Sequence, residues 1–175
     1  SWNLEERFTI QIDIFRNGHK AFSSFALNEV SIEKTAAELM VEIRMSIDDA
    51  AVMAYSGDGL VISTATGSTA YAFSAGGPIV WPSADVILAV PICAHALFTR
   101  PIVVSPESVV TALVLSNGAT ANFDGRRSFG VQNGDVVKVS RNTTSTKFAR
   151  VSQHSFAERL VSKFKLPTQS WRDLS

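Results

Sequence analysis

The sequence holds a single cysteine, no cluster of basic residues, no long apolar run and no internal repeat, and each absence closes off a class of protein. One cysteine, Cys93, cannot make an intramolecular disulfide or a cysteine-cluster zinc site. It lies in the run Val90-Pro91-Ile92-Cys93, where a small buried hydrophobe is expected. Sixteen basic and sixteen acidic side chains cancel. With no dense Lys/Arg patch to meet a phosphate backbone, nucleic-acid binding is disfavoured. No apolar stretch is long enough for a membrane span. The start, Ser1-Trp2-Asn3-Leu4-Glu5-Glu6-Arg7, has neither the basic nor the apolar part of a signal peptide, so a cytoplasmic location is the expectation. A net charge near zero also does little to keep copies of the chain apart.

What is present suits one globular domain. The 175 residues are 46% hydrophobic and 18% charged, enough to bury roughly 70% of the surface of an unfolded chain. Phe8, Ile10, Ile12 and Ile14 alternate with Thr9, Gln11 and Asp13, the period of a half-buried strand. Asn17-Gly18 then supplies the positive φ angles of a tight hairpin turn, with residues 22–27 as the returning strand. Leu39, Val41, Ile43, Met45 and Ile47 form a second alternation that turns at Asp48-Asp49 into an apolar stretch ending at Tyr55. Further strands are expected at 86–90, 109–115, 119–123, 136–139 and 147–151, with turns at Asn117-Gly118 and Asn133-Gly134. The fold class that follows is mainly β, an antiparallel sandwich or roll.

Two helices interrupt the strands. A short one is expected over 68–75, closed by Gly76-Gly77-Pro78. The other is C-terminal: Ser155 and Glu158 have capping-box spacing, Phe156, Leu160, Val161 and Phe164 make an apolar stripe, and Pro167 ends it. The expected organisation is an all-β domain over 1–152 followed by a helix and tail over 153–175.

The chemistry concentrates where Thr64-Ala65-Thr66-Gly67-Ser68-Thr69-Ala70-Tyr71 turns from a strand into a helix. Hydroxyls and free N–H groups at such a start suit an anionic or hydroxyl-rich ligand, or serve as ordinary caps. Gly57-Asp58-Gly59 places a carboxylate between two residues that let the backbone bend closely around a ligand; a polar loop tip is the alternative. Asn28-Glu29 can hold the paired hydroxyls of a ribose or sit at a solvated strand end. His95 has no partner at ligand spacing, which leaves neither a zinc site nor a nucleophilic triad. Asp124-Gly125-Arg126-Arg127 reads as a turn whose basic pair meets phosphate only if the fold aims it there.

Residues 57–78, from Gly57-Asp58-Gly59-Leu60 through Ser63-Thr64-Ala65-Thr66-Gly67-Ser68-Thr69-Ala70-Tyr71 to Gly76-Gly77-Pro78, closely resemble the central motif of NAD kinases. Asn28-Glu29 is similar to the family's N-E motif, and Pro91 to Pro101, with His95, Leu97 and Arg100, to its P-x-x-x-H-x-L-x-x-R-P segment. The resemblance runs over essentially the whole chain, and the tail is similar to that of actinobacterial members. It implies NAD as substrate, with Asn28 and Glu29 at the ribose region, Asp58 at the nicotinamide end, Thr69, Ala70, Tyr71 and Ser74 around the adenine portion, Thr66 also among the NAD-binding residues, and Asp124 nearby. It also implies transfer of the terminal phosphoryl group of ATP or polyphosphate, with Mg or another divalent metal, to the 2′-hydroxyl of the adenosine ribose, and a homo-dimer or tetramer.

Two departures from the family pattern stand out. Ala65 replaces the usual proline of the central motif. The family's G-G-D-G-T motif, which carries its catalytic aspartate, occurs nowhere in the sequence. No catalytic residue or metal ligand is therefore assigned to this chain. It is expected to be part of a longer enzyme, inactive alone, with its C-terminal stripe packing on an N-terminal α/β domain or on a neighbour. The alternatives are the β-domain of a diacylglycerol- or sphingosine-type lipid kinase and a non-catalytic dinucleotide-binding module.

Overall fold

The computed structural model describes residues 3–151 and 154–169. Among the described residues twelve strands form two sheets of six. They are β1 (Asn3–Arg16), β2 (His19–Ala26), β3 (Glu29–Lys34), β4 (Val41–Ile47), β5 (Ala50–Gly57), β6 (Gly59–Thr64), β7 (Ile87–Ile92), β8 (Ile102–Val104), β9 (Val110–Val114), β10 (Ala119–Phe123), β11 (Arg127–Val131) and β12 (Val136–Arg150). One sheet has the order β2-β1-β12-β9-β4-β5 and the other β11-β10-β3-β6-β7-β8. The ladders of the second sheet are antiparallel, as are β1–β2, β4–β5, β4–β9 and β9–β12.

The chain divides into two compact units, residues 6–146 and a smaller one made of 1–5 with 147–175. In the larger unit the alternating residues of both sheets build one core. Ile10, Ile12 and Ile14 from β1, Ile43 and Met45 from β4, Val30 and Ile32 from β3, Leu60 and Ile62 from β6, and Phe123 from β10 are all fully buried. This is the arrangement of a sandwich, with period-two side chains filling the space between two faces. Asn17 and Gly18 take φ of 52° and 77° at the first hairpin, as expected of a tight Asn-Gly turn.

A second, smaller apolar cluster lies on the opposite face of the second sheet. There Val61, Leu88 and Val90 pack with Ala72, which belongs to the segment crossing that face. In the smaller unit the capping box forms as expected, with the Ser155 hydroxyl accepting from the Glu158 N–H and the Glu158 carboxylate from the Ser155 N–H. Within the helix α2 (Phe156–Phe164) Leu160 is buried, Phe156 and Phe164 are half-buried, and Val161 is exposed.

Several local expectations are corrected. The helix expected over 68–75 is instead a 3-10 turn (Thr66–Thr69) and a single α-helical turn, α1 (Tyr71–Ser74). Ala70 separates them with φ −105° and ψ −128°, outside the helical region. The two strands expected over 136–139 and 147–151 are one continuous strand, β12. Leu39 does not share the alternation of β4 but is 88% exposed ahead of it. Cys93 is exposed rather than buried, because β7 ends at Ile92 and Cys93 turns the chain with φ +46°. Residues 152 and 153, where the expected boundary between β-domain and tail falls, lie outside the described residues.

Candidate functional site

The candidate residues gather around β3 and β6, which are neighbours in the second sheet. Pairing of Glu29 with Ser63 and of Glu33 with Gly59 defines two ends of this ladder. Four residues of strand separate those ends by about 13 Å. Alternation puts Val30 and Ile32 in the core and Glu29, Ser31 and Glu33 together on the outer face.

At the first end the loop before β3 is held by the main chain on every side. The Asp124 carboxylate accepts from the N–H groups of Leu27 (2.9 Å), Asn28 (2.7 Å) and Glu29 (3.3 Å). It can do so because Asp124 follows β10, whose last residue, Phe123, pairs with Val30. The carbonyls of the same loop are used as well: Thr64 Oγ1 donates to the Leu27 carbonyl at 2.6 Å, Ser63 Oγ to that of Asn28 at 3.1 Å, and the Thr64 N–H to Asn28 at 2.9 Å. Gly67 is needed here, since a Cβ on it would overlap the Asn28 carbonyl oxygen and lie 2.5 Å from Ser63 Oγ. The side-chain amide of Asn28 keeps no hydrogen bond to the protein among the described residues and is left for other work.

Glu29 is buried, with 7% of its surface exposed, and its Oε2 has no hydrogen-bond partner among the described residues. Burial is the main reason its carboxyl is pushed up to about 7; the nearby Asp124 charge adds to this, and the Tyr71 backbone N–H, which donates to Glu29, opposes it. A buried carboxylate with one free oxygen fits a ligand hydroxyl.

At the other end Asp58 is half-exposed. Lys34 Nζ lies 3.8 Å from its carboxylate, and the Cys93 thiol is within hydrogen-bonding reach. That hydrogen bond, followed by the charge of Asp58 and some burial, raises the thiol's pKa. Gly57 and Gly59 flank the aspartate for steric reasons: a Cβ on Gly57 would sit 2.8 Å from the Ile92 carbonyl oxygen, and one on Gly59 would overlap that of Ile32.

Tyr71 reaches the second end of the ladder, where its hydroxyl donates to Glu33 Oε2 at 2.9 Å. Burial first, and then Glu33, push the phenol up to about 12. Thr66, Thr69 and Ala70 are half-buried beside it, whereas Ser74 is exposed at the end of α1. The helix start offers fewer free N–H groups than expected: Gly67 donates to Thr64 Oγ1, Ser68 to the Ala65 carbonyl and Ala70 to that of Gly67. Buried Ser68 is structural, exchanging hydrogen bonds with the main chain of Val80.

Some expected contributors point elsewhere. Arg127 contacts Ser24 Oγ, the Phe25 carbonyl and Asp124, and stacks over the Phe25 ring, so it is occupied against β2 and its own turn. His95 is exposed and makes one bridge to Ser56. The sequence reading missed Glu33 and Asn122. Their signal was the alternation of Glu29, Ser31 and Glu33 with Val30 and Ile32, which marks a strand with a polar outer face.

Comparison with known proteins agrees with this geometry. Residues 27–151 match the family model described as the ATP-NAD kinase C-terminal domain. Over 98% of its length the chain is 44% identical to NAD kinase 2 of Streptomyces coelicolor, covering 58% of it, and 45% identical to the NAD kinase of Corynebacterium diphtheriae, covering 55%. It therefore spans just over half the length of these curated relatives. Among solved structures, a yeast NADH kinase complexed with NADH superimposes with a TM-score of 0.87 at 19% identity, over 94% of this chain and 51% of that one. An NAD kinase from Archaeoglobus fulgidus in complex with ATP gives 0.76 at 24% identity, over 93% and 60%. At these identities the two structures attest to the fold, while the family match takes in both ends of the β3–β6 ladder with the turn that joins them: the chain belongs to the ATP-NAD kinase C-terminal domain family.

Proposed function

We propose that this chain supplies the NAD-binding part of an NAD kinase, the enzyme that transfers the terminal phosphoryl group of ATP or polyphosphate to the 2′-hydroxyl of NAD and forms NADP. The observation that carries the reading is that Asn28-Glu29 and Asp58 flank the two ends of the β3–β6 ladder, with the Tyr71 hydroxyl donating to Glu33 on the outer face of the same strand. On this reading the Asn28 amide and the free Glu29 oxygen receive ribose hydroxyls. Asp58 takes the nicotinamide end. Thr69, Ala70, Tyr71 and Ser74 line the adenine portion, and Thr66 is also among the NAD-binding residues. Asp124, with its carboxylate committed to the Asn28 loop, holds that loop in place.

The contribution of these residues to catalysis is orientation. Phosphoryl transfer depends mainly on in-line positioning and charge stabilisation, so a ribose held at defined hydroxyls reduces the entropic part of the barrier. Among the described residues no group of three or more His, Cys, Asp or Glu side chains is placed to hold a metal ion. Mg or another divalent metal would come with the ATP or polyphosphate, whose phosphates supply most of its ligands, and no step of the reaction is assigned to it here.

The same reading carries a homo-dimeric or tetrameric assembly in the cytoplasm. Exposed Leu97, Phe98 and Val103 offer apolar surface for such contacts, and no helix among the described residues is long and apolar enough to cross a membrane. Calorimetric titration of the chain with NAD and NADP, repeated on Asn28→Ala and Asp58→Ala, tests the binding role. Saturable binding weakened by both substitutions is the expected result; unchanged affinity in both would refute the placement.

A further inference from the structure

Glu33 lies outside the motifs that identify the family, yet it collects more side-chain donors than any residue the motifs contain. Its carboxylate accepts from the Tyr71 hydroxyl on α1 at 2.9 Å, from Ser31 on its own strand and from Asn122 Nδ2 on β10 at 3.4 Å. An ionised carboxylate is an acceptor only, and three donors from three elements fix its orientation. Its stem is packed as well as its head: Gly59 stands opposite it in the ladder, and a Cβ on that glycine would lie 3.1 Å from Glu33 Cγ. The adjacent cation does not compete, because Lys34 Nζ turns to Asp58 and to the Glu38 carbonyl.

We propose that Glu33 is a positioning residue of the dinucleotide site, acting through Tyr71 by holding its hydroxyl so that the ring is set before the ligand arrives. The proposal rests on the functional reading above. Tyr71 is held at its hydroxyl by Glu33, and this limits the arrangements open to its half-buried ring before a ligand binds. Fixing a side chain in advance removes the ordering cost that binding would otherwise carry. Replacing Glu33 by glutamine keeps the shape of the side chain and removes its charge.

The test is a double-mutant cycle with Glu33→Gln, Tyr71→Phe and the pair, read by NAD affinity in calorimetry. It is combined with the NMR shift of the labelled Tyr71 ring ζ carbon in the free chain at neutral pH. The expected result is a roughly three- to tenfold loss of affinity in Glu33→Gln, no further loss when Glu33→Gln is added to Tyr71→Phe, and a moved ζ-carbon signal in Glu33→Gln. Additive losses would mean that Glu33 acts on general stability, and an unmoved signal would mean that it does not hold the hydroxyl; either overturns the proposal. A wild-type chain that binds no NAD would count against the functional reading, and the ζ-carbon shift would then decide alone whether Glu33 holds the hydroxyl.

Discussion

The two ends of β3 are built on opposite principles although both belong to one site. At the Glu29 end the loop is fastened by main-chain groups, with the Asp124 carboxylate taking three N–H donors and Ser63 and Thr64 taking the carbonyls. At the Asp58 end the main chain is also held, the Asp58 N–H donating to the Ile92 carbonyl and the Asp58 carbonyl accepting from the Lys34 N–H. The carboxylate, however, is half-exposed and among the described residues meets only an ion pair at 3.8 Å and the neighbouring thiol. A carboxylate bonded to buried N–H groups is costly to disturb, whereas a surface ion pair contributes about 0–1 kcal/mol. The first end is therefore a rigid socket. The second is free to adjust its side chains to a ligand.

The sharpest way to break this contrast is to fill the socket. Gly67→Ala should destabilise the chain by about 2–4 kcal/mol, because the new methyl overlaps the Asn28 carbonyl and no flexible side chain can yield to it. Urea denaturation would show the loss as a lowered midpoint. Asp124→Asn keeps a residue that tolerates the turn's φ of +51° while withdrawing the charge from three N–H donors. We expect a loss of about 1–3 kcal/mol in the same assay. The corresponding change at the other end, Asp58→Asn, should alter stability by less than about 0.5 kcal/mol.

Titration separates the two ends further. The Glu29 carboxyl is raised in the folded chain to about 7 from an ordinary 4.5, mainly by burial. The folded form thus holds a proton that the unfolded form has lost between those values, and stability falls as pH rises from about 4.5 to 7. Glu29→Gln should remove that slope and leave the variant more stable than the parent by about 1–2 kcal/mol above pH 7, with the gap closing below pH 4.5. Denaturation midpoints across that range would check the sign. The smallest effect is at Cys93, the sole cysteine, whose thiol pKa is raised by Asp58. Asp58→Asn should make it alkylate faster at a fixed mildly alkaline pH, and an unchanged rate would mean the two groups do not meet.

Much of this architecture was legible in the sequence, for reasons that also explain what was not. Long alternations such as Phe8 to Ile14 and Val41 to Ile47 announce strands because one face is buried and the other wet. β3, β8 and β11 are three to six residues long, and in β3 the motif Asn28-Glu29 draws attention away from the alternation that follows it. The helix after the central motif looked continuous because Ser, Thr, Ala and Tyr are all compatible with one, and nothing in those residue types marks the non-helical Ala70 that breaks it. Cys93 looked buried because its neighbours are apolar, but a residue at positive φ after a strand end leaves the sheet. Of the candidate site, the motif residues could be placed by resemblance. The link from Tyr71 to Glu33 could not, since it depends on which face of β3 each carboxylate occupies.

The central claim is that the socket exists before any ligand or other part of an enzyme is added. Calorimetric titration of the folded chain with NAD tests it most directly. The account predicts saturable binding that Asn28→Ala and Asp58→Ala each weaken while the chain stays folded. A chain that melts cooperatively but takes up no NAD would contradict it.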